Sequence, residues 1–278
     1  MNNARARTLI TVGELIRLMD AGTAVVLLDV IDEQGAAPEE RPKIPGALSV
    51  HLTTDFSGTP TATSGRRPLP DIADLQARAR AWGICNATPV VVYDNAGGAQ
   101  ASRAWWTLRW AGLTNVRMLD GGYGAWAATG RPSSTHATHA SDAGDVVLTP
   151  GHMPTIDADE AARLAEQSRL FDARPRASYV GDPAKAGTGH IPGAVHAPSG
   201  GNIMDGKFKP SDDLYAAFCK LGADGSSPIG VYCGSGNSAA HTIAAMAAIG
   251  LDAALYVGSW SAWSADPARP VAIGTEPK

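Results

Sequence analysis

The hydrophobic residues of this chain form short runs that alternate with longer amphipathic stretches. Runs rich in Val, Ile, Leu and Tyr are typical of buried strands, and they include VVLLDV (25–30), VVVYD (90–94) and IGVY (229–232). Two amphipathic stretches open with a capping-box pair that predicts a helix start, namely Thr11 with Glu14 and Asp157 with Glu160. This alternation predicts parallel βαβ units, so the expected fold class is α/β, with mainly parallel sheets flanked by helices.

The order of these segments occurs twice along the chain. In both halves a strand run is followed by an IPGA motif, a second strand run, and a segment that ends in Ala-Trp; the IPGA motifs lie at 44–47 and 191–194. A repeat of more than roughly 100 residues indicates a duplicated domain, since solenoid repeats are ~20 to 50 residues long. We predict a first domain over 1–131, a linker rich in Ser, Thr, Gly and Pro over 132–152, and a second domain over 153–278.

Composition and charge restrict the classes of partner. The chain has 278 residues, of which 44% are hydrophobic and 18% charged, with a net charge of −4 and a pI of about 6.0. No global positive field is present to attract nucleic acid or anionic membrane. No apolar run approaches the ~20 residues that span a bilayer, and the N-terminal segment lacks the apolar core of a signal peptide. We expect a cytoplasmic protein without nucleic-acid or membrane partners.

Metal and disulfide chemistry is not indicated. The linker histidines His136, His139 and His152 have no Cys or carboxylate cluster beside them that would complete a metal site. Three cysteines are too few, and odd in number, for a disulfide framework. Cys219 lies on the apolar face of a predicted helix and Cys85 has no activating neighbour, so both are expected to be packing residues. No metal or organic cofactor is expected.

The third thiol, Cys233, has a different setting. It follows the strand run IGVY and precedes NSAAHTIAAMAAIG (237–250), which predicts a helix that ends at Gly250. In parallel α/β sheets, ligands bind at the carboxyl ends of strands. The free N–H groups of a helix start favour the thiolate form of a cysteine. Gly234 and Gly236 permit the loop to turn its amides toward one point, which predicts an anion-binding nest around the sulfur.

The first half has Asp94 where the second half has Cys233, if Tyr93 is aligned with Tyr232. The first half therefore keeps the scaffold without the nucleophile, and one reactive centre is expected. The first domain would then form one wall of a cleft between the domains, where small-molecule sites often lie.

At this level the sequence resembles the tandem-domain rhodanese family, which comprises thiosulfate and 3-mercaptopyruvate sulfurtransferases. The resemblance covers nearly the whole chain, and it rests on DAR (172–174), GHIPGA (189–194), CGSGNS (233–238), SWSAW (259–263) and the weaker first-half copies IPGA and SRAWW. It implies two tandem rhodanese-like domains, the second catalytic. It also implies that Cys233 takes a sulfane sulfur from a small-molecule donor and passes it to cyanide, a low-molecular-weight thiol or thioredoxin.

The resemblance also implies roles for other residues. The active-site loop would comprise Gly234, Ser235, Gly236, Asn237 and Ser238, with Ser235 polarising a substrate carbonyl or forming the turn. His190 and Asp172 would order the loop, and Trp260 would line the cleft. A loop without basic residues favours 3-mercaptopyruvate over thiosulfate as the donor, although the Val-Thr of that subfamily is Asn237-Ser238 here.

The sequence departs from the family in the residues that bind the donor carboxylate. The family's two arginines are replaced by Ser178 and, before His190, by a stretch that offers only Lys185. Arg176 is the expected substitute, with Lys185 as a second cation. A lysine supplies a point charge in place of the bidentate fork of an arginine. The histidine of the first-half HIPGA motif is replaced by Lys43. These changes leave thiosulfate open as an alternative donor.

Two further functions are alternatives to sulfur transfer. Phosphatases of the same fold have an arginine six residues after the cysteine, where this chain has Ala239, so phosphoryl transfer is disfavoured. A catalytically silent binding or regulatory module would explain the departures at Ser178 and Lys43. That alternative does not explain why Cys233 keeps its glycines.

Overall fold

The computed structural model describes residues 2–32, 41–185 and 187–276, and it contains two five-stranded parallel sheets. The first sheet consists of β1 (Leu9–Ile10), β2 (Val26–Ile31), β3 (Leu48–His51), β4 (Val90–Tyr93) and β5 (Val116–Leu119). The second consists of β6 (Thr155–Ile156), β7 (Leu170–Asp172), β8 (Val195–His196), β11 (Gly230–Tyr232) and β12 (Ala254–Tyr256). A small antiparallel pair, β9 (Ile203–Met204) and β10 (Lys207–Phe208), lies between β8 and β11 in the chain.

Helices flank both sheets. Those of the first half are α1 (Asn2–Thr8), α2 (Val12–Asp20), α3 (Leu52–Phe56), α4 (Ile72–Ala81), α5 (Ala99–Trp110) and α6 (Gly122–Ala127). Those of the second half are α7 (Ala158–Glu166), α8 (Arg176–Val180), α9 (Ser211–Lys220), α10 (Asn237–Ala247) and α11 (Ser259–Trp263), with a 3-10 turn over Ser199–Asn202. Both predicted capping boxes are present, at α2 and α7. Within the described ranges, no helix combines the length and apolar character that a membrane crossing requires.

The two sheets have the same strand order. The first runs β1-β5-β4-β2-β3 and the second runs β6-β12-β11-β7-β8, so each strand of one half has a counterpart in the other. The anchoring contacts are also repeated. The hydroxyl of Tyr93 accepts the N–H of Ile44 and that of Tyr232 accepts the N–H of Ile191, each at 3.1 Å. The α/β class with parallel sheets is confirmed, and the repeated topology agrees with a duplicated domain.

The two halves share an apolar core. Helices α5 and α10 pack against each other, and one continuous cluster of buried side chains includes residues of both halves. Helix α10 is buried on nearly all sides because it lies between its own sheet and α5, which explains why its sequence is almost entirely small and apolar. Arg5 of α1 adds a polar contact, since it donates to Asp120 of the first half and to the carbonyls of Phe208 and Lys209 in the second.

The predicted linker lies along the first half. Val146 and Leu148 are buried there, and the N–H of Leu148 donates to the side chain of Gln76 at 2.9 Å. The exposed His152 pairs with Thr149 at 2.8 Å. The exact boundaries of linker and domains stay predictions.

Candidate active site

Cys233 lies directly after β11, the middle strand of the second sheet, and four residues before Asn237, the first residue of α10. Gly236 forms the N-terminal cap of that helix with φ +98°, a left-handed conformation that favours glycine. This turn directs the N–H of Gly236 at the Cys233 sulfur, with N to Sγ at 3.1 Å. The thiol is 3% exposed. A hydrogen bond from a helix-start amide stabilises the thiolate form of a cysteine.

The segment before α11 supports the loop from behind. The N–H of Cys233 donates to Ser259 Oγ at 3.3 Å, and the carbonyl of Cys233 accepts from the N–H of Trp260 at 2.8 Å. Ser259 is fully buried with φ 51°, an unusual conformation for a residue other than glycine. Its hydroxyl donates to the Tyr256 carbonyl at 2.9 Å. The SWSAW motif was noted in the sequence, but the role of Ser259 needs the tertiary contact.

A cleft of about 570 Å³ opens beside the loop, between the two halves. The first half contributes Arg66. The residues of the second half that line it include Arg174, Ser178, Lys185, Gly234 and Trp260. Cys233 itself is buried and precedes Gly234, which lines the cleft. Ser235 is only 8% exposed and does not line the cleft.

Arg174 and Trp260 form the rigid part of the cleft wall. The buried carboxylate of Asp172 accepts two contacts from Arg174 Nε, at 2.9 and 3.0 Å, and the Arg174 guanidinium lies 4.4 Å from the Trp260 ring centroid. Burial lowers the pKa of Arg174, but the hydrogen bonds and charge of Asp172 outweigh it, so the pKa is raised above its usual range. Asp172 was expected to order the cysteine loop. In the structure it holds Arg174, and through Arg174 the indole of Trp260.

His190 is placed away from the cysteine loop that it was expected to order. Its Nδ1 pairs with the Tyr179 carbonyl at 2.9 Å and its ring stacks on Tyr179 at 3.8 Å between centroids. Its Nε2 contacts the Glu276 carbonyl at 3.2 Å. His190 therefore joins α8 to the C-terminal segment, and it reaches Cys233 only indirectly through the bond between Ile191 and Tyr232.

The two expected donor-binding cations differ in position. Arg176 is exposed in the first turn of α8 and does not line the cleft, because the next residues, Ala177 and Ser178, form the wall there. Lys185 does line the cleft, with its side chain 74% exposed and 3.7 Å from Asp182. An ion pair this exposed is weak, so Lys185 can turn toward a bound anion.

Arg66 is a cleft residue that sequence reasoning missed. Its N–H donates to Ser261 Oγ at 3.0 Å across the domain boundary, and its Nη2 is so close to Gly234 that a Cβ there would lie 3.3 Å away. Part of the signal was visible in the sequence as the basic pair in GRRPLP (65–70). Only the docking of the halves shows that this loop faces the cysteine.

Asp94 occupies the position in the first half that Cys233 has in the second. Its carboxylate accepts four backbone N–H groups at 2.8 Å. Oδ1 binds those of Ala96 and Gly98, and Oδ2 binds those of Gln100 and Ala101. Gly98 caps α5 in the left-handed conformation, as Gly236 caps α10. The first-half loop is therefore an anion nest, filled by a carboxylate of the chain itself.

The remaining loop residues and cysteines complete the picture. Asn237 is the first residue of α10, and its Oδ1 is buried without a partner in the described ranges; Ser238 is half-buried beside it. Cys85 and Cys219 are half-buried free thiols. Among the described residues, no group of three or more His, Cys, Asp or Glu side chains is arranged to hold a metal ion.

Comparisons with known proteins agree with this geometry. A family profile described as the rhodanese-like domain matches residues 11–129 and 157–266. A Mycobacterium tuberculosis protein named "Putative thiosulfate sulfurtransferase SseB" is 44% identical over 284 residues, which cover 98% of this chain and 99% of that protein. A Pseudomonas aeruginosa protein named "Probable 3-mercaptopyruvate sulfurtransferase" is 39% identical over 249 residues, which cover 86% of this chain and 87% of that one.

A solved crystal structure has the same architecture as this chain. The crystal structure of SseA from Escherichia coli, described as a 3-mercaptopyruvate sulfotransferase, superposes with a TM-score of 0.75 at 26% identity. The match covers 91% of this chain and 98% of SseA. Sulfurtransferases use small-molecule sulfur donors with thiol or cyanide acceptors. Both halves of this chain match the same domain, and the chain belongs to the rhodanese-like family as a sulfurtransferase.

Proposed function

We propose that Cys233 carries sulfur from 3-mercaptopyruvate to a thiol or to cyanide. The observation that supports this most strongly is the position of the Cys233 sulfur. It accepts a helix-start N–H from Gly236 and lies one residue from the cleft. The contact stabilises the Cys233 thiolate before the reaction, and after it the contact still holds the Cys233 sulfur while the negative charge lies on the outer sulfur of the persulfide.

In the first step the Cys233 thiolate attacks the sulfur of the donor. A sulfur–sulfur bond forms and the carbon–sulfur bond of 3-mercaptopyruvate breaks. The electron pair of the broken bond stays on carbon as the enolate of pyruvate, which takes up the proton that the donor sulfur carried. The products are pyruvate and a Cys233 persulfide anion, and no redox cofactor is needed. Ser235 is the proposed hydroxyl that assists at the donor carbonyl, which requires the loop to open from its buried state.

In the second step the acceptor attacks the outer sulfur. The carbon of cyanide forms a bond to that sulfur, the sulfur–sulfur bond breaks, and its electron pair returns to Cys233, so that thiocyanate leaves. A dithiol such as thioredoxin takes the same sulfur on one thiol. Its second thiol then forms a disulfide and releases hydrogen sulfide. We propose that a thiol, thioredoxin or a low-molecular-weight thiol, is the physiological acceptor.

The carboxylate of Asp94 supports the persulfide proposal as an internal template. Counted from the capping glycines, the N–H groups of Gln100 and Ala101 that bind Asp94 Oδ2 correspond to those of Ser238 and Ala239 in the second half. The Cys233 sulfur takes the place of Oδ1. The outer persulfide sulfur would then take the place of Oδ2, bound by these two amides.

The donor is argued from the loop and the cleft. Residues 234–238 contain no basic side chain, which favours 3-mercaptopyruvate. Thiosulfate is the second candidate, and the observation in its favour is that Arg66 and Lys185 both line the cleft, because two cations suit a dianion. The names of the two relatives also give different donors, "Putative thiosulfate sulfurtransferase SseB" for the M. tuberculosis protein and "Probable 3-mercaptopyruvate sulfurtransferase" for the P. aeruginosa one.

The experiment is steady-state sulfur transfer to cyanide with each donor, for the wild type and Cys233→Ser. We expect a higher kcat/KM with 3-mercaptopyruvate and no transfer by the variant. A peptide-level mass increase of about 32 Da on Cys233 after exposure to donor would identify the sulfur carrier. A higher kcat/KM with thiosulfate would overturn the donor. Activity of Cys233→Ser, or a wild type that gains no sulfur from either donor, would overturn the role of Cys233. Cell fractionation tests the proposed cytoplasmic location.

A further inference from the structure

Arg103 of α5 is a buried cation that belongs to the first half and lies against the cysteine loop of the second. Its side chain is fully buried. Its Nη1 is so close to Gly236 that a Cβ there would lie 2.7 Å away. Gly236 is the residue whose N–H binds the Cys233 sulfur. Arg103 is therefore packed against the back of the nest that holds the thiol.

The charge of Arg103 has little compensation from the protein. Nη2 donates to the Arg67 carbonyl at 3.0 Å, and the guanidinium lies 5.9 Å from the Trp106 ring centroid. Nε and Nη1 have no acceptor in the described ranges, and no carboxylate is paired with Arg103 there. A buried charge without a counter-ion is costly. Burial lowers the pKa of Arg103 to about 10, and the Cys233 sulfur acts in the opposite direction as its negative neighbour.

We infer that Arg103 is a positioning residue that stabilises the anionic forms of Cys233, the thiolate and the persulfide, from across the domain interface. The inference rests on the proposed role of Cys233 and adds a function for the first domain. Arg103 has no carboxylate as a counter-ion in the described ranges, and the anionic sulfur of Cys233 would then take that role. Uncompensated buried charges of this kind cluster at functional sites because they favour one charge state of a neighbour.

The matching position on α10 supports this assignment. Arg103 is the fifth residue of α5, and His241 is the fifth residue of α10. His241 reaches the opposite loop in the same way, since a Cβ at Gly98 would lie 3.5 Å from its Cδ2. Burial lowers the pKa of His241 to about 4, so its ring is neutral at physiological pH. The loop with the fixed carboxylate of Asp94 thus faces a neutral group, and the loop with the thiol faces a cation.

Other charged groups around the cysteine are already paired or are exposed. Arg67 lies 3.4 Å from Asp32, Arg174 is held by Asp172, and Lys185 lies 3.7 Å from Asp182. Arg66 lines the cleft and is exposed to solvent. Solvent screens an exposed charge far more than a buried one. Arg103 is therefore the cation expected to dominate the pH dependence of the thiol.

The test is the pH profile of Cys233 alkylation by iodoacetamide, followed at the Cys233 peptide by mass spectrometry. The variants are Arg103→Gln, which keeps a hydrogen-bond donor but removes the charge, and Arg103→Lys, which keeps the charge. We expect the midpoint of the profile to rise by about one pH unit or more in Arg103→Gln, and by less than about half a unit in Arg103→Lys. A purely structural role would change the maximal rate and leave the midpoint in place.

The matched control is Arg109→Gln. Arg109 lies on the same helix and also packs over a tryptophan, 5.8 Å from the Trp105 centroid, but it donates to the Thr114 carbonyl away from the loop. Its replacement should not move the midpoint. Equal midpoints for Arg103→Gln and wild type would overturn the inference. So would a wild-type midpoint at or above that of a free cysteine, about pH 8.5, which tests the inference even if Arg103→Gln does not fold.

Alkylation needs no sulfur donor, so this experiment is independent of the transfer assay. If Cys233→Ser still transfers sulfur, the proposed function fails while the alkylation profile still reports on Arg103. If Cys233→Ser is inactive and the midpoint does not move, the role of Cys233 stands and only the inference about Arg103 fails.

Discussion

The loops after the middle strands of the two sheets show how one scaffold serves two purposes. Both loops precede a helix capped by a left-handed glycine, Gly98 with φ +87° and Gly236 with φ +98°. In the first half Asp94 binds four backbone N–H groups, whereas in the second the Cys233 sulfur binds one. The first nest is saturated by its own side chain. In the second the side chain is a thiol with one N–H donor, and the proposed function assigns the remaining helix-start N–H groups to the outer sulfur of a persulfide.

The fifth residue of the helix that follows each loop contacts the loop of the other half. The cation on α5 faces the loop of the second half, and the neutral histidine on α10 faces the loop of the first. Each domain therefore completes the other's loop. The two contributions differ in charge, because the first half supplies an arginine to the cysteine loop whereas the second half supplies a histidine to the loop of Asp94.

Replacing Cys233 with Asp would give the second loop the same side chain as the first, and we expect this change to have the largest effect. We expect transfer to fall by at least about 10³-fold because the nucleophile is lost. The new carboxylate should find the loop amides and the Arg103 cation. The variant should therefore melt no lower than Cys233→Ser in a thermal unfolding experiment. A Cys233→Asp protein that unfolds while Cys233→Ser does not would show that the second loop is no anion nest.

Replacing Asp94 with Ala would empty the first nest. Four N–H groups would lose their acceptor, that of Ala101 in a buried hydrogen bond and the other three in partly buried ones. Hydrogen bonds to charged groups are the strong ones, so we expect the free energy of unfolding in urea to fall by about 3 kcal/mol. Asp212→Ala is the matched control, since Asp212 is exposed in the first turn of α9 and should change stability little. A loss similar to that of the control would mean that water replaces the carboxylate at no cost.

Replacing His241 with Gln would test whether the residue that faces the first loop is neutral in the folded protein, because it would change how stability depends on pH. The folded-state pKa of about 4 lies below the usual 6.5, so the unfolded chain binds more protons, and the contribution of His241 to stability is lost as the pH falls below 6.5 toward 4. The stability of the wild type minus that of His241→Gln should therefore grow by about 2 kcal/mol between pH 5 and 7.5. Urea unfolding at these two pH values measures it.

The unfolding free energies of the wild type and His241→Gln must be compared as a difference, because the titration of Asp29 changes the stability of both proteins in the opposite direction to His241. Burial raises the pKa of Asp29 from 3.8 to about 6, so its contribution to stability is lost as the pH rises from 3.8 through about 6. Asp29 is present in both proteins and cancels in the difference. A difference that does not depend on pH would show that His241 titrates as it does in the unfolded chain.

Replacing Arg66 with Ala would test the contribution of the first half to the cleft. We expect KM for an anionic donor to rise about tenfold, or ~1.4 kcal/mol, with a smaller change in kcat, because a charge that binds the donor before and during reaction is removed. Arg176→Ala, outside the cleft, is the matched control and should leave both constants unchanged. The reverse result, an effect of Arg176 without one of Arg66, would restore the assignment made from sequence.

Much of the fold was predictable because it depends on local pattern. The strand runs, the capping boxes at Thr11 and Asp157 and the repeated order of segments predict two parallel α/β units, and the structure contains them. The position of Cys233 between a strand and a helix was predictable for the same reason. The contacts of Asp172 and His190 were not, since a motif shows which residues recur and does not show what they touch.

The strand and helix pattern, the duplication and the position of one thiol at a helix start could all be predicted from the amino-acid sequence, because these features depend on residues close together in the chain. Three positions needed the tertiary structure, namely that Arg66 lines the cleft, that Arg103 packs against Gly236 of the cysteine loop, and that Arg176 is not among the residues that line the cleft. Arg103 and Gly236 are far apart in sequence, and they meet because α5 packs against α10. Charge placement in a buried interface follows from that packing, and no local pattern encodes it.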